Sequence, residues 1–159
     1  MIAPAPLAER WAAAWEGRDP ALLRACCVRD VHYEDPVARR PLAGVEAVVE
    51  HAALLWGAFP ADLRVRASAP AVEQGGFACL PWRLTGTQRG ELDGLPASGR
   101  PLALHGVHYV ELEGGRVRRA RGFFDLYDAG RQLGLLPGKG GVGERALLLL
   151  RGFGLRPRG

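Results

Sequence analysis

Apolar residues at Leu7, Trp11, Ala14 and Trp15 recur with helical spacing, and this stripe predicts an amphipathic helix ended by Gly17. Asp19-Pro20 opens a second helix, with Asp19 as N-cap and Pro20 in its first turn, which turns Leu22, Leu23 and Cys26 inward. Residues 31–36 read as a short strand stopped by Pro36. Alternation there puts His32 and Glu34 on one side and Tyr33 and Asp35 on the other. After a loop at 37–43, Gly44 introduces a third helix with a long apolar stripe: Val45, Val48, Val49, Ala52, Leu55, Trp56 and Phe59. His51 lies just off that stripe, either solvated or at a pocket rim.

Period-two patterning dominates the rest. Residues 63–67 alternate as a half-exposed strand, Gln74-Gly75-Gly76 reads as a hairpin turn, and long extended runs follow at 77–88, 100–112 and 116–124. A Glu113-Gly114-Gly115 turn joins the last two, and a short helical segment runs from Asp125 to Gln132-Leu133-Gly134. Helices gathered ahead of an antiparallel meander predict an α+β fold, a strongly curved antiparallel sheet wrapped around N-terminal helices to leave a conical cavity.

Alternation divides the extended run after the loop into two faces. Ala103, His105, Val107, Tyr109 and Glu111 share one; Leu102, Leu104, Gly106, His108, Val110 and Leu112 share the other. On the following strand Val117, Arg119, Arg121, Phe123 and Asp125 share a face. A face carrying His105, Tyr109 and Asp125 is too polar for a sealed core and suits a lined pocket. Asp125, among Phe123, Phe124 and Leu126, is either a helix N-cap or a working acid/base whose pKa apolar surroundings would raise.

The 159 residues fit one domain, and 48% hydrophobic with 24% charged residues is ordinary for a folded protein. The formal charge of +4 is uneven. From Pro137 onward, Lys139, Arg145, Arg151, Arg156 and Arg158 stand against Glu144 and account for the whole excess. Without interleaved aromatics this basic tail indicates no nucleic acid partner. No apolar run is long enough for a membrane span, and Met1-Ile2-Ala3-Pro4 does not open a secretory signal, so a cytoplasmic location is expected. Cys26, Cys27 and Cys79 form neither a disulfide framework nor a zinc spacing, and His32, His51, His105 and His108 show no metal-ligand pattern. No Gly-x-Ser-x-Gly nucleophile elbow is present, and the glycine-rich run 138–143 follows a helix rather than linking a strand to one, so it reads as a linker.

In combination and order, several motifs make the chain resemble the SnoaL-like polyketide cyclase family of the NTF2-like superfamily. They are Trp82-Arg83-Leu84-Thr85-Gly86-Thr87, Gly94-Leu95-Pro96-Ala97-Ser98-Gly99-Arg100, Gly115-Arg116-Val117, Phe124-Asp125 and Gln132-Leu133-Gly134-Leu135-Leu136-Pro137. Tyr33-Glu34-Asp35-Pro36 and Gly44-Val45-Glu46-Ala47 support them. The resemblance implies an NTF2-like cone over residues 1–137 followed by a basic tail at 138–159. It further implies cofactor-independent acid/base chemistry, an aldol cyclisation or related enolisation of an apolar carbonyl compound, with no metal. Asp125 falls on the family's acid/base position by its spacing from Gln132-Leu133-Gly134. His105 joins it as a catalytic candidate, and Tyr33, Tyr109, Trp15 and Arg83 are the candidates for substrate binding. Gln88 and Ser98 depart from the family's usual histidine and threonine. The expected partner is a small apolar or polycyclic molecule, with a homodimer from the family and the exposed sheet face. The competing reading is a non-catalytic NTF2-like module that binds a small molecule or dimerises.

Overall fold

The computed structural model describes residues 5–150. Helices α1 (Leu7–Glu16) and α2 (Pro20–Cys26) come first, and α2 is capped by Asp19, whose carboxylate accepts from the Ala21 N–H at 2.9 Å. The chain passes from α2 into strand β1 (Cys27–Glu34), then β2 (Leu42–Ala43) and α3 (Val45–Ala58). Strands β3 (Arg64–Ala67), β4 (Val72–Gln74), β5 (Phe77–Thr87), β6 (Pro101–Glu113) and β7 (Arg116–Phe124) follow, then α4 (Leu126–Gln132) and α5 (Val142–Leu150).

The sheet runs β2-β1-β7-β6-β5-β3, with β4 also on β5, and it is curved without closing. The β3 to β7 pairings are antiparallel, whereas β1 joins β7 in parallel through Tyr33 opposite Ala120 and Glu34 opposite Arg121. Parallel pairing needs a crossover. Here β1 and β7 enclose most of the chain, so this contact draws the first strand onto the last and curls the sheet over α1 and α3.

The inner face of the sheet is apolar and buried: Ala78, Leu80, Trp82 and Leu84 from β5, Leu102, Leu104 and Val110 from β6, Val117 and Ala120 from β7. They pack against Trp11, Trp15, Leu23, Val48, Ala52 and Phe59. Leu22, expected inward on α2, is instead among the exposed apolar residues. Two close approaches explain glycines in the sheet. A Cβ on Gly106 would lie 2.2 Å from the Trp82 ring, which crosses that position, and a Cβ on Gly122 would lie 3.1 Å from both Asp35 Cβ and His108 Nε2.

The face expected to line a pocket is the outer one. His105, Tyr109 and Arg83 are exposed there, with Arg83 opposite His105 across β5 and β6 and Tyr109 stacked on Phe77 at 5.8 Å. A bulge is the physical reason that parity misleads on β7. Glu111 pairs with Arg119 and Leu112 with Val117, so one extra residue enters β7. Val117 therefore points inward together with Ala120 and Gly122, not with Arg119 and Arg121.

The helix α4 is seated by one side chain. Gln132 accepts from the Ala103 N–H at 2.8 Å and donates to the Ala103 carbonyl at 2.9 Å, satisfying β6 where β7 no longer covers it. The Gln132-Leu133-Gly134 motif thus closes the fold: Leu133 is buried and Gly134 turns the chain at φ 77°. Within the tail expected at 138–159, α5 touches α4 through Tyr127, whose hydroxyl donates to Glu144 at 3.2 Å. Arg151, Arg156 and Arg158 lie outside the described residues.

Candidate functional site

Between the helices and the inner face lies a cavity of about 480 Å³. Its walls are overwhelmingly apolar, with Leu54 from α3, Leu80 from β5, Leu104 from β6, Phe124 from β7 and Leu133 just after α4. Apart from Asp93, its ionisable groups gather around one carboxylate.

That carboxylate is Asp35, the first residue after β1. Pro36 ends the strand and the chain turns back, so that Asp35 Oδ1 accepts from the backbone N–H groups of Val37 at 2.8 Å and Ala38 at 2.7 Å. Its Oδ2 accepts from the Tyr33 hydroxyl at 2.8 Å and from His51 Nε2 at 2.8 Å. His51 reaches it from the middle of α3, and the two side chains are only 12% and 8% exposed, His51 first. Burial alone would raise the Asp35 pKa, but the His51 hydrogen bond and charge, the Ala38 N–H and the Tyr33 hydroxyl together hold it down at about 2. Asp35 is therefore an ionised acceptor across the physiological range.

Behind this pair stands His108, on the inner face of β6. Its Nε2 lies 3.1 Å from the Tyr33 oxygen. Its ring is boxed by Trp11, Trp15, Trp82 and Tyr33 at centroid distances of 5.4, 5.9, 5.7 and 5.8 Å. Burial pushes the His108 pKa down to about 4, against a smaller upward pull from Asp35, so the ring is neutral at pH 7. Burial first, and then the Asp35 charge, raise the Tyr33 pKa well above its ordinary value. Tyr33 stays a neutral phenol.

Of the residues singled out from sequence, the structure brings Tyr33 and Trp15 to the cavity. It does not bring Arg83, His105 or Tyr109, which stand on the opposite face of the sheet. Asp125 is exposed and caps α4, its Oδ1 accepting from the Asp128 N–H at 2.8 Å, while its neighbours Phe124 and Leu126 line the cavity. His51, which the sequence leaves either solvated or at a pocket rim, lies in the cavity lining, and the functional residues that sequence reasoning does not select are Asp35 and His108. A signal for the last was present: His108 is the one titratable group on the face shared by Leu102, Leu104, Gly106 and Val110.

The turn after β1 and the loop between β5 and β6 contribute the exposed lining residues Pro36, Asp93 and Leu95 to the open side of the cavity, as do Leu54, Leu126 and Leu135 from α3, α4 and the chain after it. Val37 and Leu92, in the same turn and loop, also line the cavity. Arg39 joins the turn to the loop, donating to both oxygens of Asp93 at 2.9 and 3.1 Å. Gln88, 1% exposed, holds the base of that loop by donating to the Gly90 and Pro96 carbonyls at 3.3 and 3.4 Å and accepting from the Ser98 N–H at 3.3 Å. Among the described residues no group of three or more His, Cys, Asp or Glu side chains could hold a metal ion, and no helix is long and apolar enough to cross a membrane.

The sequence matches the family model described as SnoaL-like polyketide cyclase over residues 5–133. The chain belongs to the SnoaL-like polyketide cyclase family. Among solved structures, TsrD from Streptomyces laurentii is similar at 28% identity and a TM-score of 0.70, over 82% of this chain and 93% of that one. A SnoaL-like protein from Jannaschia sp. CCS1 is 22% identical with a TM-score of 0.70, over 87% and 99% of the two chains. A protein of ketosteroid isomerase-like fold from Catenulispora acidiphila, in complex with trimethylamine, is 21% identical with a TM-score of 0.67, over 79% and 90%. No curated protein matches the sequence.

Proposed function

We propose that this SnoaL-like protein is a cofactor-independent acid/base enzyme acting on a neutral, apolar carbonyl compound, by aldol cyclisation or a related enolisation, with His51 as the proton carrier. The observation that carries this reading is the Asp35–His51 hydrogen bond of 2.8 Å at the wall of an apolar cavity. Asp35 accepts only, so His51 Nε2 is the donor, and the free acceptor of the neutral imidazole is Nδ1. A carboxylate that fixes the tautomer and stabilises the imidazolium is the division of labour by which a histidine works as a general base.

In the proposed reaction His51 Nδ1 removes a proton from the carbon alpha to a carbonyl, leaving an enolate. In the aldol case that carbon bonds to a second carbonyl carbon of the same molecule, and the alkoxide formed takes the proton back from His51. In the isomerisation case the proton returns at a different carbon. Trp11, Trp15 and Trp82 line the cavity with their rings, while their indole N–H groups are buried with no acceptor among the described residues, so these side chains offer a substrate apolar contact. The cavity lining contains Asp35 and Asp93 and neither lysine nor arginine among the described residues, which disfavours an anionic substrate. Family membership supports a cyclase or isomerase type of chemistry.

The test is deuterium exchange, by proton NMR, at the alpha carbons of polycyclic ketones incubated in heavy water with wild type and His51→Ala. Exchange that the variant slows by about 10²-fold or more supports the reading. Ketones that bind with no exchange above the protein-free rate would assign the chain to the binding-module class.

A further inference from the structure

We infer that His108 and Tyr33 form a positioning relay behind the dyad, a one-way hydrogen-bond chain from His108 through Tyr33 to Asp35 that keeps the carboxylate an acceptor and leaves His51 as the group that carries the proton. The inference rests on the reading of the dyad above.

The direction of the chain follows from donor and acceptor counting. Asp35 already receives two backbone N–H groups and His51, and as a carboxylate it can only accept. Tyr33 has one hydroxyl proton, and at 2.8 Å from Oδ2 that proton belongs to the Asp35 contact. The Tyr33 oxygen can then meet His108 Nε2, 3.1 Å away, only as an acceptor. His108 is thereby fixed as its Nε2–H tautomer. Its Nδ1 is left a bare lone pair with no partner among the described residues, inside the box of indole rings.

A second proton on His108 has nowhere to go. It would sit on Nδ1, and the elements packed against the ring supply no acceptor for it: α1 presents Trp11 and Trp15, β5 presents Trp82, and β7 presents Gly122. The titratable groups on this side are Tyr33 and Asp35, both engaged on the Nε2 side, with His51 beyond them. Gly122 is part of the device, because a side chain there would be 3.1 Å from both Asp35 Cβ and His108 Nε2. His108 therefore acts through Tyr33 and Asp35 and does not itself shuttle protons.

The test needs no substrate. Long-range proton–nitrogen-15 correlation on the full-length apo protein at pH 7 reads the His108 tautomer, and carbon-13 titration reads the Asp35 carboxyl in wild type, Tyr33→Phe, His108→Gln and His108→Ala. The expected result is His108 protonated at Nε2 alone, an Asp35 midpoint raised in Tyr33→Phe and in His108→Ala, and a midpoint kept near that of wild type in His108→Gln, whose amide still donates to Tyr33. A proton on Nδ1, or a Tyr33→Phe carboxyl indistinguishable from wild type, overturns the relay. Should a variant fail to fold, the wild-type tautomer alone still decides. Deuterium exchange is read separately: the expected spectra without catalysed exchange would sink the enzyme reading and leave the relay standing.

Discussion

Asp35 and His51 stand sixteen positions apart in sequence, one just past β1 and the other in the middle of α3, and meet at 2.8 Å inside the apolar cavity. Neither is placed by local structure alone. Val37 and Ala38 tie the Asp35 oxygen Oδ1 and leave Oδ2 for the imidazole, so removing either partner should do different damage. His51→Ala removes the proton carrier and leaves the turn intact: activity should fall about 10²-fold to 10⁴-fold with little loss of fold. Asp35→Ala leaves two backbone N–H groups, a phenol and an imidazole without their acceptor, and should cost about 2–3 kcal/mol of stability as well. Urea denaturation beside the exchange assay separates the two.

Acid should weaken the protein in two separate windows. His108 has its pKa lowered from 6.5 to about 4, so below 6.5 the unfolded chain binds a proton that the folded chain refuses. Stability is fully present above 6.5, falls as pH drops toward 4, and the loss amounts to about 3 kcal/mol. Asp35, lowered from 3.8 to about 2, contributes stability that is present above 3.8 and lost as pH falls through 2. Urea denaturation of wild type and His108→Gln at pH 7 and pH 4.5 checks the first window. The glutamine variant should lose distinctly less between the two pH values, and equal losses would remove His108 as the cause.

Gly122 should be intolerant of even a methyl group. A Cβ there would crowd Asp35 and His108 together at 3.1 Å, and β1 and β6 would have to move apart to admit it. Gly122→Ala should cost about 1–3 kcal/mol and lower the exchange rate more than that loss of stability explains. Gly138→Ala, where nothing lies within 4 Å of the added carbon, is the control and should leave both readouts near wild type.

The ion pair at the open side of the cavity should govern traffic rather than stability. Arg39 and Asp93 are 78% and 36% exposed in their side chains, so water and salt screen them. Arg39→Ala should change unfolding free energy by less than about 1 kcal/mol. Their loops carry Val37, Leu92 and Leu95 into the cavity lining, so the same variant should release an apolar fluorescent ligand faster in stopped flow, and high salt should speed wild type toward it. An unchanged release rate would show that the ion pair does not restrain the loops.

Much of the fold was legible because its signals are local. The stripe on α3, the Asp19-Pro20 start of α2 and the alternation of β5 and β6 each depend on residues within a few positions of one another. The wall of the cavity was not. The inward face of β7 changes parity at the bulge beside Arg119, and the inner face of β6 is the one whose His108 meets Trp11 and Trp15 of α1, a contact no window of sequence contains. Tyr33 and Trp15 were legible as aromatic positions on amphipathic elements. Asp35, His51 and His108 come together only through the parallel β1–β7 contact and the crossing of α3, so their cluster has no spacing to recognise.

Asp125 offers the direct comparison between the sequence-based site and the dyad. Its side chain is exposed, and its visible role is to cap α4 through the Asp128 N–H at 2.8 Å. Loss of such a cap costs about 1 kcal/mol, so Asp125→Ala should destabilise by that amount, and Asp125→Asn, which keeps an N-cap oxygen, by less. An N-cap role alone predicts deuterium exchange within about threefold of wild type in both variants, since Asp125 shares no hydrogen bond with Asp35, Tyr33, His51 or His108. An acid/base role predicts instead that Asp125→Asn loses about 10²-fold or more with its stability preserved. Measuring both asparagine and alanine variants beside His51→Ala, in one exchange assay and one urea titration, decides which carboxylate the chemistry depends on. A large loss at Asp125 with none at His51 would return the catalytic role to the end of β7.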